Sequence, residues 1–271
     1  MDLTSEQVEQ FKRDGFIILD RIISDETVSR AREAVERCFS GEYGCDRRPA
    51  EVRRELARLE DGEAKIGQIV HGRLLDTDLW EIMGGPTIGR LIAGLTESPL
   101  ISLTEDQLFK KPPHSPHVAM HQDYPYQTFA SNADLTSCWI ALTDVTPETS
   151  PLEYIRGSHT WPTAPFPSRF SDGGDDHYME AADPIRPDGW EDDLVQVIVP
   201  AGGGAVHHTK TMHGSRANTS DGARVAIAMH HAMESCRLRT DNYPWHESMW
   251  KGTREGGLVA NEFMPVVYPV V

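Results

Sequence analysis

Apolar positions along the chain follow two different spacings. In the N-terminal part they recur about every three or four residues, which is typical of amphipathic helices. Thr4 and Gln7 form a capping box before a first helix, which Gly15 ends ahead of the strand-like segment FIIL. Ser24 caps a second helix, and the segment AEVRRELARLE predicts a third.

From residue 100 onward, short β-type segments are separated by proline, glycine and asparagine. The segments are ISLTEDQLF, HVAMHQD, SCWIALTDV, LEYI, LVQVIV, GAVHH and ARVAIAMHH. Many short strands with such turns predict a sandwich or barrel of the jelly-roll kind. We therefore expect one mostly β domain over residues 1–271 with flanking helices. Its parts are a mainly helical region (1–99), a jelly-roll core (100–236) with an insertion (160–194), and a C-terminal extension (237–271).

Composition and charge narrow the class of protein. A chain of 271 residues, 39% of them hydrophobic, is long enough for one substantial core. The formal charge of -16 repels nucleic acid and anionic membrane surfaces, so we expect neither as a partner. No apolar run approaches a membrane span and the N-terminus lacks the layout of a secretion signal, so we expect a cytoplasmic protein. The scattered cysteines predict free thiols: Cys38, Cys45, Cys138 and Cys236.

The segment HQD offers a candidate metal site. On a strand, residues two apart point to the same face, so His121 and Asp123 can reach one ion. His213 in the later segment HGS would complete a set of two imidazoles and one carboxylate. Such a set leaves about three positions of an octahedral iron open, as non-haem Fe(II) oxygenases require. With 12 histidines in the chain, an HxD pair also arises by chance, and the alternative for any single histidine is an ordinary surface or core residue.

Longer motifs support the oxygenase interpretation. They are LTSEQVEQFKRDGFIILDRIISDETVSRARE, LFKKPP before HQDYPY, SCWIALTDVTPETSPLEYIRGSHTW, and HGSRANTSDGAR. In these motifs and their order, the chain resembles the phytanoyl-CoA dioxygenase family of Fe(II)/2-oxoglutarate oxygenases over nearly its whole length. It departs from the family at Arg156, where a proline usually precedes GSH, and at Thr149-Ser150-Pro151, where an Asn-Gly turn is usual. These departures lie outside the expected metal ligands.

The resemblance implies a cupin-like double-stranded β-helix that uses Fe(II), 2-oxoglutarate and O2. It also implies that His121, Asp123 and His213 bind the metal. Arg224, eleven residues after His213, matches the family's arginine for the far carboxylate of 2-oxoglutarate. A planar, permanently charged fork suits that carboxylate. The alternative is Arg216, which stands closer to His213 in an Asn/Ser-rich turn.

Further positions match the family less distinctively. Ser215 corresponds to a serine that hydrogen-bonds the cosubstrate carboxylate, although turn serines are common. Gln107 corresponds to an inward position on the strand before KKPP, and Trp139 to a tryptophan beside the cosubstrate. A large aromatic residue on a strand is otherwise a core residue. By strand alternation, one of His207 and His208 should face the cavity.

The implied reaction removes hydrogen from a substrate carbon, with hydroxylation as the expected outcome. Desaturation, ring closure and epimerisation use the same centre, and a catalytically silent jelly roll is the non-enzymatic alternative. Asp123 argues against halogenation, because halogenating relatives lack this carboxylate. The acidic balance argues against acyl-CoA, so we expect a small organic metabolite, such as one bearing an amine, or a natural-product intermediate of secondary metabolism. Expected pocket walls are Tyr124, Tyr126, Phe129 and Trp161; the oligomeric state stays open.

The insertion carries an unusual excess of acidic residues. Between Arg169 and Leu194 there are nine acidic residues and two basic ones. One hypothesis is a lid over a cationic substrate, with Trp161 and Trp190 as aromatic partners of the cation. The alternative is a solvated acidic loop. In the lid hypothesis, the positively charged substrate is attracted by four carboxylates: Asp175, Asp176, Asp192 and Asp193.

Overall fold

The computed structural model describes residues 3–48, 66–171, 177–191, 193–239, 247–250 and 252–269. The helix predicted over residues 50–60 lies outside these ranges. Within them, none of the helices combines the length and the apolar character needed to cross a membrane. The α-helices are α1 (Ser5–Asp14), α2 (Asp25–Ser40), α3 (Thr77–Met83) and α4 (Pro86–Thr96).

The first two helices begin and end where the sequence predicts. Both hydrogen bonds of the Thr4–Gln7 capping box are present, and Gly15 ends α1 in the left-handed conformation at φ 82°. Ser24 accepts a hydrogen bond from the backbone N–H of Thr27 and so caps α2. The predictions for α1 and α2 are therefore confirmed, whereas α3 and α4 were not predicted individually.

The strands form two curled antiparallel sheets, as the jelly-roll prediction requires. The strands are β1 (Phe16–Leu19), β2 (Gly67–Val70), β3 (Ile101–Lys111), β4 (Val118–His121), β5 (Leu135–Ala141), β6 (Leu152–Ile155), β7 (Leu194–Gln196), β8 (Gly204–His208), β9 (His213–Ser215), β10 (Arg224–Met233) and β11 (Val266–Tyr268). In the seven-stranded larger sheet the order is β1-β8-β5-β10-β3-β11, with β2 also paired to β3. The four-stranded smaller sheet has the order β4-β9-β6-β7.

Side-chain alternation separates the two faces of the larger sheet. On β10, the odd-numbered residues from Val225 to Met229 belong to the main core with residues of α1 to α4. The even-numbered residues from Arg224 to His230 line a cavity on the opposite face, except for Ala226, which packs in a second core cluster. The helices thus cover the outer face, and the inner face is left for polar chemistry.

Strand register places four polar residues side by side on that inner face. Along β3, β10, β5 and β8, each of them lies directly opposite the next. Adjacent residues on paired strands are close enough for their side chains to interact. We call this set the polar row; it consists of Glu105, His230, Ser137 and His207.

A β-bulge interrupts β3 beside the polar row. His230 pairs with Glu105 and His231 pairs with Leu103, so Thr104 is an extra residue in β3. Its hydroxyl donates a hydrogen bond of 3.0 Å to the carbonyl of His230. The bulge allows Thr104 and Glu105, although consecutive, both to line the cavity.

The C-terminal extension and the insertion pack against different parts of the β core. The extension supplies Trp250, whose ring centroid lies 4.8 Å from that of Phe129, and both rings line the cavity. The insertion covers β4 from outside: Ala119 donates its backbone N–H to Phe170 at 2.9 Å, and Met120 donates to Tyr178 at 2.8 Å. These bonds satisfy backbone groups of β4 that the sheet leaves unpaired.

Candidate active site

His121, Asp123 and His213 meet on the inner side of the smaller sheet. His121 on β4 lies directly opposite His213 on β9. Oδ1 of Asp123 is 3.8 Å from Nε2 of His121 and 3.5 Å from Nε2 of His213. One ligand atom from each residue lies within 4.8 Å of the others, so the three can hold one metal ion. The structure thus brings together residues that the sequence separates by about ninety positions.

The backbone at Asp123 differs from the extended strand that we expected. β4 ends at His121, and Asp123 has helical angles (φ -72°, ψ -32°) before the short 3-10 turn Tyr124–Tyr126. The backbone N–H groups of Asp123 and Tyr124 both donate to the carbonyl of Thr209, at 2.9 and 3.1 Å. This shared acceptor bends the chain, so Asp123 reaches the histidines through a turn rather than through strand alternation.

Hydrogen bonds fix the orientation of both histidine rings. Nδ1 of His121 lies 2.8 Å from the carbonyl of Ala119, and Nδ1 of His213 lies 2.9 Å from that of Thr211. A carbonyl only accepts, so each Nδ1 carries the proton and each Nε2 keeps a lone pair for a metal. This donor set fits a 2-His-1-carboxylate iron centre with open positions.

Protonation at the site also matches metal binding. Burial lowers the pKa of His121 to about 3 and that of His213 to about 4, so both imidazoles are neutral at neutral pH. Burial opposes ionisation of Asp123, but His213 and the hydrogen bond from His207 outweigh it and hold the pKa of Asp123 well below its usual range. Two neutral imidazoles and one carboxylate are the forms that coordinate a divalent cation.

The second carboxylate oxygen of Asp123 is held by the polar row. Ser137 donates its hydroxyl to Oδ2 at 2.5 Å, and Nε2 of His207 lies 3.0 Å from the same atom. His207 is itself oriented by the hydroxyl of Tyr154, 2.9 Å from its Nδ1. These contacts fix the carboxylate with Oδ1 facing the histidines. Alternation predicted that His207 or His208 faces inward, but nothing in the sequence pointed to Ser137.

A pair of buried basic side chains, Arg224 and Lys111, lies at another part of the cavity. Arg224 on β10 pairs in register with Lys111 on β3. Arg224 donates Nη1–H to the carbonyl of Ser150, while its Nε has no hydrogen-bond partner among the described residues. The guanidinium carbon is 5.4 Å from the ring centroid of Trp139. Burial lowers the pKa of Arg224 to about 10, which still leaves it charged and in need of an anion at neutral pH.

Lys111 is the functional candidate that sequence analysis missed. Its Nζ lies 2.7 Å from the hydroxyl of Ser150, 3.0 Å from that of Ser215 and 3.1 Å from the carbonyl of Arg216. Burial, and after it the charge of Arg224, lower the pKa of Lys111 to about 6. The motif KKPP was noted, but only the strand register shows which lysine faces inward.

Arg216, the alternative to Arg224, points away from the cavity. It is exposed, and its Nε lies 3.2 Å from Oε2 of Glu153. Its guanidinium carbon also lies 4.5 Å above the ring of Tyr178. The structure therefore places Arg224, and not Arg216, where a ligand in the cavity can reach it.

The cavity has a volume of about 450 Å³, and not all of the predicted residues line it. The triad, Arg224, Ser215, Gln107 and Trp139 line it, as do Tyr126 and Phe129. Tyr124 does not; it packs against the cluster that contains Phe129. Trp161 does not either, because it is 2% exposed inside a separate apolar cluster beneath the insertion. The sequence could not show which side of the smaller sheet this tryptophan would occupy.

The insertion reaches the cavity through Phe170, whose ring lies 4.7 Å from that of His121. Of the acidic residues in the lid hypothesis, Asp193 forms an ion pair with Arg156 at 2.7 Å. Trp190 lies edge-on to Trp161 with ring centroids 5.5 Å apart, and neither ring lines the cavity. The expected pairing of these tryptophans with a bound cation is therefore wrong. The remaining acidic residues of that hypothesis lie outside the described residues: Asp175, Asp176 and Asp192.

Comparisons with known proteins agree with this geometry. The family model described as phytanoyl-CoA dioxygenase (PhyH) matches residues 11–226. The peroxisomal phytanoyl-CoA dioxygenase of Rattus norvegicus is 24% identical over 247 residues, covering 87% of this chain and 70% of the rat protein. The ectoine dioxygenase of Bordetella bronchiseptica is 26% identical over 255 residues, covering 86% of this chain and 77% of that protein.

Solved structures share the same fold. The non-haem α-ketoglutarate-dependent carbocyclase SnoK from nogalamycin biosynthesis superposes with a TM-score of 0.74 at 23% identity, covering 98% of this chain and 96% of SnoK. EctD from S. alaskensis, solved with 2-oxoglutarate and 5-hydroxyectoine, gives a TM-score of 0.67 at 17% identity, covering 95% of this chain and 86% of EctD. Because the family model matches most of the chain and His121, Asp123 and His213 can hold one metal ion, this chain belongs to the phytanoyl-CoA dioxygenase family of non-haem Fe(II)- and 2-oxoglutarate-dependent oxygenases.

Proposed function

We propose that this protein hydroxylates a small organic molecule, either a metabolite or a natural-product intermediate. The observation that carries the proposal is the common cavity, into which the His121–Asp123–His213 triad and the Lys111–Arg224 pair both point. The two groups suit two parts of one cosubstrate. The remaining apolar space is then free for a substrate.

In this proposal His121, Asp123 and His213 bind Fe(II). When bound, iron with 2-oxoglutarate activates O2, releases succinate and CO2, and supplies the oxidant that removes hydrogen from a substrate carbon. The protein holds the ligands in place through the carbonyls of Ala119 and Thr211 and keeps both imidazoles neutral. The donor set is therefore prepared before the metal arrives.

Arg224 takes the far carboxylate of 2-oxoglutarate. Its Nε lacks a partner among the described residues, and a carboxylate can accept from Nε and Nη2 together. Lys111 and Ser215 lie beside it and add a charge and a hydroxyl. Gln107 and Trp139 line the wall between this pair and the polar row, where they limit how the cosubstrate can lie.

The substrate occupies the end of the cavity formed by Tyr126, Phe129 and Trp250. These three side chains are aromatic, and a volume of about 450 Å³ for the whole cavity suits a small molecule. The cationic side chains of lysine or arginine that line the described cavity are Lys111 and Arg224, which the cosubstrate engages. No further cation is available there for the phosphates of coenzyme A, which argues for a smaller substrate than phytanoyl-CoA.

An anaerobic titration with Fe(II) and 2-oxoglutarate tests the proposed site. We expect the weak visible band of the iron chelate in the unmodified protein and in Arg216→Ala, and its loss in His213→Ala. Absence of the band and of 2-oxoglutarate binding in the unmodified protein would favour a catalytically silent jelly roll.

The reaction type is tested by product mass after a screen of small molecules for succinate formation. Hydroxylation adds one oxygen atom, desaturation or ring closure removes two hydrogen atoms, and epimerisation leaves the mass unchanged. The last two outcomes matter because structures similar to this chain include an epimerase and a carbocyclase. A product without added oxygen contradicts hydroxylation but remains consistent with the proposed iron and 2-oxoglutarate site.

A further inference from the structure

Basic and acidic side chains line the cavity at separate positions along β3. Its inward residues run from Lys111 at one end to Glu105 at the other, and six residues span about 20 Å of extended strand. Lys111 and Arg224 stand together at the first end. Among the described residues that line the cavity, the carboxylates are Asp123, at the metal site, and Glu105. Glu105 is therefore the one charged group there without a role in the proposed iron and cosubstrate sites.

The carboxylate of Glu105 is held in place but not neutralised. Its Oε1 accepts a hydrogen bond of 2.8 Å from the amide of Gln107, whose own carbonyl accepts from Gln68 at 3.0 Å. Its Oε2 accepts no hydrogen bond from the described part of the chain. The nearest ionisable partner is His230, with Nε2 at 3.9 Å from Oε1, and no lysine or arginine of the described residues forms an ion pair with it.

Glu105 lies within a shielded part of the cavity. Its side chain is 26% exposed, and the same cavity is also lined by apolar residues that include Phe129, Trp250, Met249 and Met264. A carboxylate in such surroundings loses hydration and gains little from apolar neighbours. A cation with N–H groups satisfies it by charge-assisted hydrogen bonds, and aromatic rings add a favourable interaction with the same charge.

We propose that Glu105 anchors the substrate, and that the substrate is a small molecule with an ammonium or amidinium group on an apolar body. This inference rests on the proposed function, because it assumes that the cavity end beside the polar row receives the substrate. The carboxylate discriminates by charge: it repels an acid of the same shape and offers a neutral alcohol a weaker hydrogen bond.

The position of Glu105 also sets which carbon can react. Glu105 neighbours His230 in the polar row, and Nδ1 of His230 lies 3.7 Å from Oδ2 of Asp123. A substrate nitrogen bound at Glu105 is thus one side chain away from the triad. We expect oxidation at a carbon only a few bonds from that nitrogen, because a compact molecule tethered there cannot place a distant carbon at the metal.

Three compounds with the same ring test the inference: cyclohexylammonium, cyclohexanol and cyclohexanecarboxylate. Calorimetric titration into protein loaded with Fe(II) and 2-oxoglutarate, without O2, gives their dissociation constants. We expect the ammonium to bind about tenfold tighter than the alcohol, and the carboxylate to bind most weakly. In Glu105→Gln the ammonium should lose about tenfold to a hundredfold in affinity while the alcohol changes by less than about twofold.

Glu33→Gln, on the exposed face of α2, is the matched control and should leave all three constants unchanged. Equal affinity for the ammonium in Glu105→Gln and the unmodified protein overturns the inference. So does an unmodified protein that binds the alcohol as tightly as the ammonium, a result that needs no variant to fold. Absence of the visible band of the Fe(II)–2-oxoglutarate chelate would count against the proposed function instead. The same titrations on metal-free protein would then still show whether the cavity prefers the ammonium to the alcohol and the carboxylate.

Discussion

The two ends of the cavity are built by different means. At the proposed iron and cosubstrate end, the metal-binding and basic side chains except that of Asp123 stand on β3, β4, β9 and β10, and register fixes pairs such as His121 with His213 and Lys111 with Arg224. At the substrate end, Phe129 follows a 3-10 turn and Trp250 comes from the C-terminal extension. Regular strands hold the chemistry that a family shares, whereas irregular segments can change without disturbing it.

The ends also differ in how their polar groups are satisfied. Oδ2 of Asp123 has partners in Ser137 and His207, and Lys111 has three acceptors. Glu105 has Gln107 on one oxygen only. At the first end the metal ligands are held in place and the unpaired Nε of Arg224 is left for the proposed cosubstrate, whereas at the second end an unpaired oxygen of Glu105 is left for the proposed substrate. Changes at one end should therefore leave ligand binding at the other nearly unaltered.

Removing a metal ligand should have the largest effect. Replacing His121, Asp123 or His213 with Ala should abolish iron-dependent 2-oxoglutarate turnover, because the two remaining ligands hold iron poorly. Far-ultraviolet circular dichroism should stay unchanged, since the side chains line a cavity rather than fill a core. Full turnover in any two of these variants would contradict the assignment.

The next effect should come from the arginine of the cosubstrate end. Arg224→Ala and Arg224→Lys should weaken 2-oxoglutarate binding by about tenfold to several hundredfold, because losing a charge-assisted bidentate contact costs about 1.5–3.5 kcal/mol. Arg216→Ala is the comparison variant and should change binding little. A larger loss in Arg216→Ala would show that the wrong arginine was chosen.

Loss of the Ser137 hydroxyl should weaken iron binding more moderately. Ser137→Ala frees Oδ2 of Asp123 from one of its two donors, and we expect about a tenfold lower Fe(II) affinity with the 2-oxoglutarate constant preserved at saturating iron. Thr136→Val, one residue earlier on β5, controls for strand stability. Competition with a chelator of known affinity measures the effect. If both variants bind iron equally well, Ser137 does not position the ligand.

The binding of 2-oxoglutarate should depend on pH through Lys111. The lowered pKa of about 6 means that Lys111 of the free protein loses its proton above that pH, while a bound carboxylate favours the charged form. Affinity should therefore fall as pH rises above about 6, by at most about tenfold per pH unit. Lys111→Met should flatten this dependence. A pH-independent constant between pH 6 and 8 in the unmodified protein would refute the coupling.

The smallest effect on the cosubstrate should come from the other end. Trp250→Ala enlarges the substrate space and removes the ring packed on Phe129. We expect weaker binding of cyclohexylammonium, and a change in 2-oxoglutarate affinity of less than about twofold. Calorimetry on the same sample measures both constants. A parallel loss of both would mean that the two ends are coupled.

Local chemistry explains what the sequence could predict. Thr4 and Gln7 identify a helix start within four residues, and the motifs around His121 and His213 identify the metal ligands. The sequence did not identify Ser137 and Lys111 as site residues, because their neighbours are set by strand register, which depends on pairing with distant segments. The position of Trp161 was predicted wrongly for a different reason: it follows a 3-10 turn, and its local sequence does not show on which side of the smaller sheet the ring packs.

The bulge at Thr104 has an evolutionary consequence. Because Thr104 is an extra residue between two stretches of regular pairing, its loss would let Glu105 and Leu103 follow one another opposite His230 and His231 with both flanking registers kept. Losing one codon here would therefore remove Thr104 from the cavity wall beside Glu105 without moving Glu105, Lys111 or the triad. The bulge thus marks a point where the cavity wall beside Glu105 can change by one residue while the metal ligands keep their positions.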